Sequence, residues 1–202
     1  MGQRLNIEIK KKGKRLANCY YHWSGYTGTS LKLIQEILSN IYDYKDVEDD
    51  NRQAILLLET TGAGLIESEY NTLPETEKKY HRVGTNRNNG LIAITDEEMN
   101  NNEKWEEARV TINLWGEQPD DLQLLFSNSV ESIDFDVVYQ YGNKEEVLEY
   151  ADNVDFDNIV EFNFDLCNMS VNDIKDLSEN IEYIENNGGV FKINDDYYGV
   201  IY

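Results

Sequence analysis

Leu5-Asn6-Ile7-Glu8-Ile9-Lys10 alternates apolar and polar side chains, and across Gly13 the run Leu16 to Trp23 answers it with a second apolar and aromatic stretch. Alternation with a period of two places the apolar side chains on one face of a strand. A glycine between two such runs marks a hairpin turn. The chain therefore opens with a β-hairpin. Behind it, Ser24-Gly25-Tyr26-Thr27-Gly28-Thr29-Ser30 is a turn rich in glycine and hydroxyls. Leu31, Ile34, Ile37, Leu38 and Ile41 then recur at helical spacing, which predicts an amphipathic helix over residues 29–42.

The same rules carry the reading outward. Asn51 to Thr61 predicts a second helix, stopped at Gly62-Ala63-Gly64. Residues 67–89 are polar and broken by Pro74, and read as a surface loop holding His81, Arg82 and Arg87. Gly90 to Ile94 reads as a short buried strand, and Thr95-Asp96-Glu97-Glu98 has the form of a capping box. Val110, Ile112 and Leu114 alternate as one strand, and Ile133, Phe135, Val137 and Tyr139 as another, joined by a loop around Pro119-Asp120-Asp121. Asn143 caps a helix to Tyr150, Ile159 to Leu166 forms a strand, and Ser170 caps a helix carrying Val171, Ile174, Leu177, Ile181 and Ile184. Gly188-Gly189 ends that helix. Val190 to Ile193 and Tyr197 to Tyr202 close the chain as a hairpin around Asn194-Asp195. Hairpins interspersed with helices give an α+β fold with a mainly antiparallel sheet. No linker or repeat divides residues 1–202, so one domain is expected, its weakest boundary near residue 143.

With 202 residues, 40% of them hydrophobic, the chain can bury a core without disulfide or metal staples. It carries 39 acidic and 18 basic residues, a net charge of −21. That balance argues against direct binding to nucleic acid or an anionic membrane. The charge is uneven: residues 1–42 hold seven basic and two acidic groups, while residues 143–202 hold three basic and 15 acidic ones. The basic run Lys10 to Arg15 reads as a solvated turn. Nothing approaches the roughly 18 apolar residues of a membrane span, and Met1 to Asn6 lack the apolar core of a secretion signal. Gly2 is followed by Asn6 where a myristoylation motif wants Ser or Thr. A cytoplasmic location is expected. Cys19 and Cys167 both sit in apolar-aromatic runs and read as buried free thiols.

Three features could carry chemistry. The histidines are His22 and His81 alone; neither is placed for a hydrolytic triad, and no Cys/His spacing suits a transition metal. Asp152, Asp155, Asp157 and Glu161 lack the spacing and turn glycine of a calcium loop. No cofactor is implied. The strand-turn-helix at residues 22–30 is the second feature: free amides at a helix start attract anions, and His22, Ser24, Thr27, Thr29 and Ser30 could line a cradle completed by Arg82 and Arg87. Plain helix capping explains the same hydroxyls. The third is the acidic surface. Asp134 and Asp136 share a strand face, Glu145, Glu146 and Glu149 line one helix, and Asp173, Asp176, Glu179, Glu182 and Glu185 advance every three residues along another. Regularly spaced carboxylates can imitate backbone phosphates and engage a basic site on another protein. Simple solubility explains them as well.

Met1-Gly2-Gln3-Arg4, Tyr20-Tyr21-His22-Trp23 and Arg87-Asn88-Asn89-Gly90-Leu91-Ile92-Ala93-Ile94 together resemble a loose group of uncharacterised small proteins of bacteria and their phages. The resemblance covers mainly residues 1–42 and 86–115, and its motifs are not diagnostic of an activity. It implies a small cytoplasmic protein of a mobile element and carries over no catalytic residue.

Two functions follow as expectations. The first is a non-enzymatic acidic protein that engages a basic protein, as a phage-encoded inhibitor or nucleic-acid mimic in phage–host conflict. The second is a protein or enzyme for a small, nucleotide-like anionic ligand at residues 22–30, with His22 as acid or base.

Overall fold

The structure is a computed structural model that describes residues 3–114 and 130–202. The expected hairpin forms from β1 (Leu5–Lys11) and β2 (Lys14–Tyr21), turning at Lys12 and Gly13, both with positive φ. The α1 helix (Thr27–Ser39) follows, then α2 (Asp50–Glu59), capped by the Asp49 side chain. Next come β3 (Gly64–Leu65), α3 (Glu67–Thr72), α4 (Glu75–Lys78), β4 (Leu91–Ala93), α5 (Asp96–Glu103) and β5 (Ala108–Leu114). The chain continues through β6 (Val130–Phe135), β7 (Val138–Tyr141), α6 (Lys144–Tyr150) and β8 (Val160–Phe162). A 3-10 turn (Leu166–Asn168), α7 (Val171–Asn186), β9 (Val190–Ile193) and β10 (Asp196–Val200) complete it.

The strands form two sheets, in the orders β3-β4-β2-β1-β5-β6 and β7-β10-β9-β8. Most pairings are antiparallel, but β1 with β5, β3 with β4 and β8 with β9 run parallel, so both sheets are mixed. The α+β reading holds. Leu5, Ile7 and Ile9 project from the same face of β1 into a core shared with Ile34, Leu58, Ile112 and Leu177. Phe191, Ile193 and Val200 of the second sheet belong to that same core, which is continuous across both sheets. Among the described residues, no helix is long and apolar enough to cross a membrane.

Several expectations need correction. The alternation from Ile133 to Tyr139 is not one strand: β6 stays in the first sheet and β7 joins the second. Val137 at the crossing is fully buried in phase with Ile133 and Phe135, but beyond it the phase changes: Val138 packs against the core and Tyr139 is exposed. The expected strand from Ile159 to Leu166 stops at Phe162, because the Asp165 side chain accepts from the Cys167 N–H and opens the 3-10 turn. Residues 67–89 are not all surface loop: they hold α3 and α4, and His81 is buried against Glu59, Nδ1 to Oε2 at 3.2 Å. Cys19 is buried as expected, but Cys167 is exposed. Burial pushes the Cys19 thiol far above its ordinary pKa. The basic turn is only partly solvated. Lys10 and Arg15 pair with Glu8, and Lys11 pairs with Asp50 at 2.7 Å, which leaves Lys12 and Lys14 exposed. The loop around Pro119-Asp120-Asp121, like Met1 and Gly2, lies outside the described residues.

Candidate functional site

The first sheet has one apolar face and one polar face. Its register sets Asn6 opposite Tyr20 and Arg109, and Glu8 opposite Asn18 and Thr111. Side chains of paired residues share a face, so these six lie together, away from the core. Asn6, Glu8, Asn18 and Thr111 are buried there, and burial of polar atoms demands partners. Arg4 pairs with Glu107 at 2.8 Å, the Asn6 amide donates to Glu106 at 2.9 Å, Arg109 pairs with Glu106, and Arg15 pairs with both Glu8 and Glu103. Four cations (Arg4, Lys10, Arg15, Arg109) thus face four carboxylates (Glu8, Glu103, Glu106, Glu107). Within this cluster the eight charges balance.

The α5 helix is docked on this face by hydrogen bonds. The Asn18 amide donates to the Met99 carbonyl at 3.0 Å, and the Asn102 amide donates to Asn18 Oδ1 at 2.9 Å. A buried carboxylate fixes the helix start. Glu69 of α3 accepts from the Ile94 N–H, the Thr95 N–H and the Thr95 hydroxyl at 2.6–2.8 Å. Thr95 in turn caps α5 through the Glu98 N–H.

Between α5 and the polar face of the sheet, at the end of β2, lies a cleft of about 430 Å³, lined by Arg4, Tyr20, His22, Ile66, Arg87, Leu91, Glu98, Asn101, Asn102 and Trp105. That volume is in the range of small-molecule sites, roughly 300–1,000 Å³. Its aromatic lining is unevenly covered: Tyr20 is buried, while Trp105 is 62% exposed. The Tyr20 hydroxyl meets His22 Nδ1 at 2.9 Å, which leaves Nε2 as the ring nitrogen without a partner among the described residues. Burial lifts the Tyr20 phenol above its ordinary pKa against the opposing pull of Arg4 and Arg87, so it stays neutral. The His22 ring also receives the edge of Trp23 at 5.1 Å.

Arg87 reaches the cleft because its loop is tied back, the His22 N–H donating to the Arg87 carbonyl at 3.0 Å. The loop then returns through Gly90 at φ +102°, where a Cβ would meet Tyr21, Ala63 and Cys19 within 2.8 Å. Among the described residues, the Arg87 guanidinium makes no ion pair. Among the described residues the Glu98 carboxylate likewise has no cationic partner and accepts only from the Asn101 amide, at 3.4 Å.

The structure brings His22 and Arg87 together and separates the other expected ligand residues from them. Thr27 is fully buried; its hydroxyl donates to the Val137 carbonyl and accepts from the Ile201 N–H at 2.9 Å. The Ser30 hydroxyl donates to the Thr27 carbonyl at 2.8 Å, and Ser24 is buried too. Even the Thr27 N–H is taken, by the Ile201 carbonyl at 3.1 Å. The chain's own final residues therefore close the expected cradle. Thr29 is exposed, and the Arg82 guanidinium donates to the Glu59 carbonyl away from the cleft. Sequence reasoning missed Arg4, Glu98 and Trp105. Tyr20 was within reach, since it stands two residues from His22 on one strand.

The acidic row on α7 divides. Asp173 completes the capping box with Ser170, accepting from its N–H at 2.7 Å. Glu179 lies 3.7 Å from Lys175, and Asp176, Glu182 and Glu185 are exposed. Steps of three residues turn each carboxylate 60° short of a full circle, so the row winds around the helix instead of lining one face. Asp134 is exposed on β6, and Asp136 accepts from the Arg109 N–H just beyond the strand. Among the described residues, no three His, Cys, Asp or Glu side chains are grouped to hold a metal ion.

No protein-family model, curated protein or solved structure matches this chain. Arg4, Tyr20, His22, Arg87 and Leu91, from three separate stretches of the sequence, all line the cleft.

Proposed function

We propose that the chain binds a small anionic ligand in the cleft between the Tyr20–His22 strand end and α5. The observation that carries this reading is Arg87. In a chain of net charge −21, where Arg4, Arg15, Arg52 and Arg109 each pair with a carboxylate, Arg87 lines a concave site without one among the described residues. A guanidinium there offers a planar fork to phosphate or carboxylate oxygens. His22, whose Nε2 has no partner among the described residues, and Arg4 line the same cleft. Isothermal titration calorimetry with inorganic pyrophosphate and with ribose 5-phosphate tests it. One-to-one binding is expected, weakened at least tenfold in Arg87→Gln with an unchanged melting temperature. Thr29→Ala, outside the cleft, should bind as wild type. Absence of heat with both probes, or equal affinity in Arg87→Gln, refutes the site.

The surface charge supports a second reading, an acidic protein that docks on a basic site of another protein and so blocks a nucleic-acid-handling partner. The carboxylates that suit it are Asp176, Glu179, Glu182 and Glu185, because Asp173 holds its own helix cap. Neutralising those four should weaken a salt-sensitive complex with such a partner while leaving the melting temperature in place.

A further inference from the structure

We infer that the ligand of this cleft carries a guanine-type ring, so that the site is one for guanine nucleotides. The inference rests on the anionic-ligand reading above and adds what holds the other end of the molecule.

Glu98 is the observation. It sits in the same cleft as Arg4 and Arg87, yet it is within ion-pair distance of neither and has no cationic partner among the described residues. A site built only for an anion gains nothing from a carboxylate, which repels the ligand. The carboxylate fits a ligand whose far end donates hydrogen bonds. Guanine presents two donors side by side, N1–H and the exocyclic N2–H, and a carboxylate accepts both through its two oxygens. Adenine presents a lone pair at N1 and is rejected there. Hydrogen bonds to a charged acceptor are the stronger kind, so the discrimination belongs to Glu98.

The walls suit a planar ring. Tyr20 is held by His22 on the strand side, and Trp105 stands at the end of α5 with most of its indole uncovered. Stacking of a base on an aromatic side chain adds affinity and is tolerant of the base, so the rings supply affinity and Glu98 supplies choice. The cleft thus holds both kinds of group, a guanidinium for phosphate and, beyond ion-pair distance from it, a carboxylate for ring donors. Its 430 Å³ is more than a lone phosphate or a small amino acid fills.

Calorimetry on the full chain with GMP, AMP, guanosine and ribose 5-phosphate decides it. GMP should bind about tenfold or more tighter than AMP, as expected for one good bidentate contact. Glu98→Gln should bring GMP and AMP to within twofold of each other, with ribose 5-phosphate affinity unchanged. Trp105→Ala should weaken both purine nucleotides and leave ribose 5-phosphate alone. Equal affinity for GMP and AMP, or a preference that survives in Glu98→Gln, overturns the guanine assignment. Binding of ribose 5-phosphate without that preference leaves the anion site standing and removes this inference alone. Loss of all binding, pyrophosphate included, removes both.

Discussion

Asp136 shows how one carboxylate reports on its surroundings. It follows β6 directly and accepts a hydrogen bond from the Arg109 N–H. Burial is the largest influence on it and raises its pKa; Asp134 and Glu106 add like charge, while the Arg109 amide and guanidinium pull the other way. The net result lifts it from 3.8 to about 6. Between those values the folded chain holds a proton that the unfolded chain has released. The stabilisation is therefore complete below about pH 4 and is lost as pH rises through about 6. Glu77, Glu107 and Asp155 behave oppositely, since hydrogen bonds from Arg52, Arg4 and Asn158 hold their pKa values down. Those three lose their contribution as pH falls, and they do so equally in a variant at position 136. Asp136→Asn imitates the protonated form and keeps the acceptor for Arg109. Its melting temperature relative to wild type should climb from pH 4 to pH 6 and then level off. A constant difference across that range would show that the carboxyl is not shielded.

Helix starts were the most legible elements, because a cap is written in neighbouring residues. Ser170 with Asp173 and Asn143 with Glu146 form as their spacing predicts, while at Thr95 only half of the expected capping box forms: its side chain accepts from the Glu98 N–H, but its own N–H goes to Glu69 instead of Glu98. Strand ends were less legible, because alternation at Ile133 to Tyr139 does not say which sheet receives it. Least legible was the stretch 67–89. Its polarity suggested solvent, but Glu59 and Glu69 are buried and consume backbone N–H groups of Arg82, Ile94 and Thr95. A buried carboxylate facing several amides is a tertiary arrangement and leaves no local signal. Glu69 has a consequence for the element it holds. In Glu69→Gln the new amide group turns donors toward donors and the charge-assisted bonds are lost, a cost of about 2–3 kcal/mol. The start of α5 should loosen, and with it Glu98 and Trp105. Thermal melts should show the lower stability. GMP affinity should fall while pyrophosphate affinity holds, because Arg87 comes from a different loop. Equal loss for both ligands would mean that Glu69 supports the whole domain and not the helix.

At the scale of the molecule, the cleft was hidden for a simple reason. Its residues run from Arg4 to Trp105 and meet only because β1 lies between β2 and β5 while β4 extends the same sheet. His22 and Arg87 could be suspected singly; their meeting needed the sheet order. The charge, by contrast, could be read entirely from composition, and it has a thermodynamic effect of its own. Of the 39 acidic groups, 21 have no basic counterpart anywhere in the chain. Crowding them on one folded body costs electrostatic work that the expanded chain avoids. Salt screens that repulsion, and the Debye length falls from about 30 Å at 0.01 M to about 8 Å at 0.15 M. Salt also screens the favourable pairs, such as Arg4 with Glu107 and Lys192 with Glu161, but exposed pairs are worth only about 0–1 kcal/mol each. Repulsion among the excess charges acts over longer distances than those contacts and is the first to be screened. The melting temperature should therefore rise by several degrees as sodium chloride goes from about 0.01 M to 0.15 M. A fall over that interval would mean that the paired groups on the polar sheet face outweigh the repulsion. The four-by-four cluster around Glu8 and Arg109 would then be the main electrostatic support of the fold.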